Sequence, residues 1–270
     1  MKNSRTFINQ FLVGLAVVSA ASVFSQPVKA ESFTGQSGSV RAEISFEKPQ
    51  EYQYKNVQLR IVRAGKTVLN KTLPQENEYD RPTSGIFSDK IPVVDLDGDK
   101  EPEIIANFYT GGAHCCTYSL IYRYDRTSGQ YKQIRHDWGN GAYKLEDLNR
   151  DGIPEFNSRD DRFAAAFSAY AASGYPLQIW QYRQGKMTNV TRRYPKLIAS
   201  NAAQLWKDYN DIKRQGDDGK GFLAAYLADK CLLGQGQEGW RRVQQAYTKS
   251  DRAQYFAELR KFLREAGYSR

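Results

Sequence analysis

The chain has 270 residues, with 39 Lys and Arg against 30 Asp and Glu, and a formal net charge of +9. Its basic residues are dispersed, and the densest groups are pairs such as Arg192–Arg193. Nucleic-acid binding needs a basic stripe together with a recognisable module, so the composition argues against that class of function. The length is enough for one large domain or two small ones.

Residues 1–30 have the features of a secretory leader. Lys2 and Arg5 form a positive start, 11–24 is an apolar run, and Ala30 is a small residue at the expected cleavage position. A membrane span needs about 20 apolar residues, so cleavage is the better interpretation. We therefore expect a periplasmic or secreted protein with no membrane span after leader cleavage.

The region 31–90 is expected to consist of N-terminal β-strands. Apolar and polar residues alternate over 40–47 and again over 57–61, which predicts strands with one buried face. A turn then leads into a returning strand at 67–73. The following segment, 74–85, is polar and contains proline, so it predicts a loop.

An internal repeat occupies 91–194. The stretch "DLDGDKEPEI" at 95–104 nearly recurs as "DLNRDGIPEF" at 147–156. In both units the acidic loop leads into a strand, an interruption and a hairpin, and the second hairpin is expected to end with a strand over 187–194. Such self-similarity predicts two related β-units, each of which begins at an acidic loop.

Each loop offers side-chain oxygens at alternate positions, as a calcium-binding turn does. Calcium takes about 6–8 oxygen ligands, and a backbone carbonyl at the seventh position usually contributes one of them. The sequence therefore predicts two Ca²⁺ sites. The candidate ligands are Asp95, Asp97, Asp99, Glu101 and Glu103 in the first loop, and Asp147, Asn149, Asp151, the Ile153 carbonyl and Glu155 in the second.

These loops differ from an EF-hand. An EF-hand needs a bidentate Glu at position 12, where this chain has Ala106 and Ser158. Strand-like rather than helical sequence also leaves each loop. At position 6 of the first loop stands Lys100, where we expect a left-handed backbone that costs a non-glycine residue on the order of 1 kcal/mol.

The motifs "VDLDGDKEPEI" and "EDLNRDGIPEF" resemble the calcium loops of FG-GAP/VCBS-type repeats. This resemblance covers about 91–194 and implies blade-like β-units with ion-binding loops. Propellers usually close with 4–8 blades, and two units do not complete one. The stretch "FYTGGAHCCTYSLIYRYD" at 108–125 and the helical tail also look like an uncharacterised group of secreted bacterial, cyanobacterial-like proteins.

The segment "GGAHCC" at 111–116 supplies the alternative function. His114 and Cys116, with Cys231, would form a transition-metal site, and His114 with a neighbouring thiol would form the nucleophile pair of a secreted hydrolase. The purely structural interpretation is a disulfide or buried thiols beside a hydrogen-bonded histidine. Pairing among Cys115, Cys116 and Cys231 stays open.

Beyond Pro195 the hydrophobic period changes to that of helices, which predicts a small C-terminal α-helical region over 195–270. The expected fold is thus α+β: a β-rich N-terminal part with two calcium-loop repeats that do not close into a propeller, followed by helices. The expected function is calcium-dependent binding or scaffolding in the cell envelope, with a protein or polysaccharide partner, rather than catalysis.

Overall fold

The structure is a computed structural model that describes residues 29–77, 79–83, 90–112 and 115–269. The fold is α+β, as predicted: strands occupy the N-terminal part and four helices follow them. No sheet closes into a barrel within these described ranges. The expected leader lies outside the described residues except for Lys29 and Ala30, which begin the first strand.

Three antiparallel sheets contain the described strands. The first consists of β1 (Lys29–Ser37), β2 (Val40–Gln50), β3 (Gln53–Arg63) and β4 (Lys66–Thr72). The second consists of β5 (Arg81–Pro82), β7 (Glu103–Gly112), β8 (Cys115–Asp125) and β9 (Gln130–Gly139), with β6 (Val93–Val94) paired to β7. The third consists of β10 (Lys144–Glu146), β11 (Glu155–Arg159), β12 (Leu177–Arg183) and β13 (Lys186–Asn189).

Each acidic loop connects two strands that pair with each other. Val94 is opposite Glu103 at the base of the first loop, and Glu146 is opposite Glu155 at the base of the second. Strand pairing therefore determines where the ninth residue of each loop lies. The first sheet is a third meander of the same kind, and it has no acidic loop from which the sequence could reveal it.

The second sheet packs between the other two. Ile104 of β7 belongs to a core shared with Leu59 of the first sheet, whereas Ile105 belongs to a core shared with Phe156 of the third. Successive residues of a strand point to opposite faces, so β7 is buried on both. The first loop, which leads directly into β7, is consequently anchored to a strand that is buried on both faces.

Four helices follow the third sheet: α1 (Pro195–Arg214), α2 (Lys220–Leu232), α3 (Gly236–Ala246) and α4 (Arg252–Glu265). The strand expected over 187–194 is wrong in its second half, because β13 ends at Asn189 and Thr191–Arg193 form a 3-10 turn. The Thr191 hydroxyl there accepts the Ile179 N–H at 2.8 Å and replaces a backbone partner.

A buried carboxylate fastens the helices to the third sheet. Asp229 of α2 accepts the Leu177 N–H at 3.2 Å and the Asn201 side-chain amide at 2.7 Å. Burial raises its pKa to about 7. Within the described ranges, no helix combines the length and the apolar character that crossing a bilayer requires.

Candidate metal centre

The first acidic loop is wound by hydrogen bonds to its own leading aspartate. Asp95 accepts the Gly98 N–H at 2.7 Å through Oδ1 and the Lys100 N–H at 2.8 Å through Oδ2. Aspartates commonly stabilise turns in this way. The resulting turn brings carboxylate oxygens of Asp95, Asp97 and Asp99 within 4.8 Å of one another, and no other described trio of acidic, His or Cys side chains comes so close.

Two carboxylate oxygens at this loop, one on Asp97 and one on Glu103, are buried and receive no hydrogen bond from the described residues. The Asp97 side chain is 4% exposed and Glu103 is fully buried. Asp97 Oδ2 accepts the Gln184 N–H and Glu103 Oε2 accepts the Leu96 N–H, both at 2.9 Å. The other oxygens, Asp97 Oδ1 and Glu103 Oε1, accept nothing from the described residues. A buried acceptor without a hydrogen-bond donor lowers the stability of the fold by about 1–3 kcal/mol.

The negative charge of this cluster is incompletely compensated. Burial, together with the negative charges of Asp97, Asp99 and Asp95, raises the pKa of Glu103 to about 8. A carboxyl group so placed is protonated near neutral pH unless a cation joins it. A hard divalent cation would satisfy both the unpaired oxygens and the excess charge.

Arg123 of β8 supplies part of the missing positive charge. Its Nη2 lies 2.7 Å from Asp99 Oδ2, while Nε lies 3.8 Å from Asp97 Oδ2 and 3.7 Å from Glu103 Oε1. Nε is itself buried without an acceptor. No local spacing in the sequence indicates this residue. The β7–β8 register, which pairs Ile104 with Tyr122, places Arg123 opposite Glu103, so a hairpin alignment would have found it.

Glu101, also expected among the ligands, has its carboxylate engaged elsewhere. Its Oε2 lies 3.0 Å from Arg63 Nη2 and 3.5 Å from Arg126 Nε. This ion pair ties the loop to β3 of the first sheet. The group that Glu101 can still offer a cation is its backbone carbonyl, as in other calcium loops.

The second loop repeats the winding with fewer charges. Asp147 accepts the Asp151 N–H at 3.0 Å and the Gly152 N–H at 2.9 Å. The Asn149 side-chain amide donates to Asp151 Oδ2 at 2.9 Å. All three side chains at the first, third and fifth positions are exposed. Hydrogen bonds from the Ile153 N–H and from Asn149 lower the pKa of Asp151, which therefore stays ionised.

Glu155 occupies the same place in the second loop as Glu103 in the first. It is fully buried, and its Oε2 accepts the Leu148 N–H at 3.1 Å. Its other oxygen accepts the Gln181 side-chain amide at 3.4 Å, a bond for which Glu103 has no counterpart. Both oxygens of Glu155 thus have protein donors.

Both loops require left-handed backbone at their fourth and sixth positions. In the first loop these are Gly98 (φ +81°) and Lys100 (φ +65°), so the expectation for Lys100 is confirmed. In the second they are Arg150 (φ +64°) and Gly152 (φ +86°). Each loop thus has one glycine, which adopts this conformation freely, and one strained basic residue.

Cys116 does not have the free thiol that the expected transition-metal site or hydrolase pair requires. Cys116 lies in a disulfide, and Cys231 is a free, buried thiol within α2, so the pairings left open by the sequence that include Cys231 do not form. A disulfide sulfur is neither a thiolate ligand nor a nucleophile, which removes Cys116 from a metal site or a hydrolase pair. His114 and the side chain of Cys115 lie outside the described residues.

Comparison with known proteins identifies relatives without an assigned activity. Residues 198–267, which include most of the helical region, match the family described as the sll0997 C-terminal domain. "Probable thylakoid lumen protein sll0997" of Synechocystis is 34% identical over 163 residues, which are 59% of this chain and 48% of that protein. "Uncharacterized protein y4bJ" of Sinorhizobium fredii is 28% identical over 220 residues, 79% of this chain and 33% of that protein.

This chain therefore spans less than half the length of each of these relatives. No solved structure matches it. The resemblance of the acidic loops to FG-GAP/VCBS repeats stays a prediction from the sequence.

Proposed function

We propose that this chain is an exported, calcium-stabilised protein that binds or scaffolds a partner in the cell envelope or in a topologically equivalent compartment such as the thylakoid lumen. The leader-like segment 1–30 supports export, and the name of the Synechocystis relative places that protein in a lumen. Calcium is abundant outside the cytoplasm, where sites with dissociation constants of about 10⁻⁴–10⁻³ M can fill.

The observation that carries the proposal is the pair of buried, unpaired oxygens, Asp97 Oδ1 and Glu103 Oε1, beside the aspartate trio of the first loop. Asp95, Asp97, Asp99, Glu103 and the Glu101 carbonyl would hold the ion. Its charge would keep Glu103 ionised, and its ligands span the turn between β6 and β7. The role that follows is structural: calcium would brace the entry to the central strand.

In the second loop Asp147, Asn149, Asp151, the Ile153 carbonyl and Glu155 would hold a second ion. The side chains of Asp147, Asn149 and Asp151 are exposed, and the carboxylates of Asp147, Asp151 and the buried Glu155 already have protein donors. The free energy gained from a cation is therefore smaller, and we expect weaker binding there than at the first loop.

Calcium titration by calorimetry, together with thermal unfolding in calcium and in chelator, tests this function. The variants are Asp97→Asn and Asp151→Asn, with Glu258→Gln as the matched control, an exposed acidic residue on α4 away from both loops. We expect two binding events, each lost with its own variant, and a higher melting temperature in calcium. No binding and no stabilisation at millimolar calcium would refute the proposal.

A further inference from the structure

A cleft lined by tyrosines lies at the other end of β7, away from the acidic loops. It encloses about 400 Å³, and we call it the tyrosine cleft; its lining residues are Tyr52, Tyr54, Tyr79, Arg81, Tyr109 and Gly111. Tyr52 is 62% exposed and Tyr79 is 47% exposed. Among the described residues only Leu197 is a further exposed large hydrophobic side chain, so two of the three line this one cleft. Clustering of exposed apolar surface is typical of binding sites.

The local backbone builds the wall of the cleft. Gly111 has φ +84°, and a Cβ there would lie 2.5 Å from Tyr79 Cβ, so only glycine lets Tyr79 approach the end of β7. The Tyr79 N–H donates to Asn77 Oδ1 at 2.8 Å, and the Asn77 amide donates to the Thr110 carbonyl at 3.4 Å. These contacts hold Tyr79 in place without a ligand.

The floor of the cleft is equally well supported. Tyr54 is 7% exposed, and its ring lies 5.5 Å from that of Phe46 in the core of the first sheet. Its backbone carbonyl accepts the Gln75 side-chain amide at 2.9 Å. A preformed, partly aromatic pocket of this volume is typical of small-molecule sites.

The charge of the cleft is positive and unpaired. The Arg81 guanidinium lies 5.1 Å from the centre of the Tyr109 ring, and it makes no hydrogen bond or ion pair with any described residue. No carboxylate is among the lining residues that the structure describes, and Lys48 Nζ lies 6.0 Å from the centre of the Tyr54 ring. Arg63, by contrast, is paired with the Glu101 carboxylate. An anionic group is therefore the complement that this cleft lacks.

We propose that the tyrosine cleft binds an acidic saccharide, a sugar unit that carries a carboxylate. A pyranose ring has an apolar C–H face that packs on aromatic rings and a rim of hydroxyls that suits phenol hydroxyls as donors and acceptors. Arg81 offers the planar pair of N–H groups that matches a carboxylate. The cleft shares no residue with the acidic loops, so this proposal stands independently of calcium binding.

The test is calorimetric titration with trigalacturonate and with its methyl ester, which has the same scaffold without the charge. Because uronates bind calcium themselves, the titrations are run in chelator as well as in calcium. We expect the ester to bind at least about tenfold more weakly than the acid. We expect Tyr79→Ala and Tyr52→Ala to weaken acid binding by a similar factor, and Arg81→Gln to remove the preference for the acid.

Leu197→Ala is the matched control, since Leu197 is the exposed large hydrophobic residue of the described chain that lies outside the cleft. Tyr52 is on the exposed turn between β2 and β3, so its variant is informative even if Tyr79→Ala folds poorly. The proposal is overturned if neither saccharide binds at millimolar concentration, if acid and ester bind equally, or if Leu197→Ala weakens binding as much as the cleft variants. Failure of calcium binding at the loops would leave these outcomes unchanged.

Discussion

The two acidic loops have nearly the same sequence pattern but meet their electrostatic requirements differently. In the second loop the carboxylates are exposed or bonded to protein donors, so the turn is complete without an ion. In the first loop Asp97 and Glu103 are buried with an unpaired oxygen each, and Arg123 approaches both without satisfying either. A repeated motif thus predicts related geometry, whereas burial of each copy determines how strongly it requires a cation.

Removal of Arg123 should produce the largest difference between the loops. In chelator, Arg123→Gln leaves buried carboxylates without a counter-charge, and we expect a loss of about 3 kcal/mol in the free energy of unfolding. In calcium the loss should be smaller, because the ion supplies charge. By linkage, calcium should then bind the variant at least about tenfold more tightly. Urea unfolding in both buffers and calorimetry measure these effects.

Arg183→Gln is the control for that variant, since Arg183 is exposed and lies near Asp151 of the second loop. Exposed charges contribute little, so we expect a change below about 0.5 kcal/mol in either buffer. Equal losses for Arg123→Gln in calcium and in chelator would mean that the arginine and an ion do not share one cluster of charges.

The second-largest difference between the loops should appear in how the stability of the calcium-free protein depends on pH. The folded-state pKa of Glu103, about 8, lies above its ordinary value of 4.5. Its contribution to stability is therefore fully present below about pH 4.5 and is lost as pH rises toward 8. The shift sets a ceiling of about 4–5 kcal/mol, and we expect about 2 kcal/mol after local relaxation.

Glu103→Gln should flatten this loss when unfolding in chelator is compared at about pH 5 and pH 8. Asp229, with a pKa raised to about 7, acts in the same direction in both proteins, so the difference between them isolates Glu103. Identical pH profiles for wild type and variant would show that Glu103 is not the group that titrates.

Substitution of the two loop glycines by alanine should show a smaller difference in stability, again with the larger loss in the first loop. Gly98 and Gly152 both have positive φ, which costs alanine about 1 kcal/mol at either place. A Cβ at Gly98 would also lie 2.8 Å from Cδ1 of Ile153, whereas a Cβ at Gly152 meets open space. We expect Gly98→Ala to destabilise by about 2 kcal/mol and Gly152→Ala by about 1 kcal/mol in thermal unfolding. Equal effects would contradict the packing of one loop on the other.

Local pattern was sufficient for most of the fold. Alternation predicts strands such as β2 and β3, and the period of 3.6 predicts α1 and α4. It fails at Thr191, where a side-chain hydroxyl replaces a ladder hydrogen bond, because such substitution depends on the neighbouring strand. The strands of the first sheet are predicted from local pattern, but its likeness to the other two sheets is not, because only the acidic loops identify the repeat.

Only the part of the candidate site that follows from the spacing of the loop residues could be predicted from the sequence. Asp95, Asp97 and Asp99 come together as the alternate positions imply. The side chain of Glu101 turns to Arg63, and Arg123 arrives from the next strand; both contacts arise from sheet packing. The difference in burial between Asp97 and Asp151 is likewise a property of the assembled sheets, so two similar sequences could not reveal it.

The smallest expected effect concerns the basic residues in left-handed conformation. Lys100 in the first loop and Arg150 in the second have φ of +65° and +64°, so their backbone strain is nearly equal. Glycine removes that strain but gains entropy in the unfolded chain, which leaves a net stabilisation of about 0.5 kcal/mol for Lys100→Gly and for Arg150→Gly. Thermal unfolding in chelator measures both variants against wild type. Equal gains would assign the difference between the loops to burial and charge, whereas a gain at only one of them would mean that backbone strain also distinguishes the two loops.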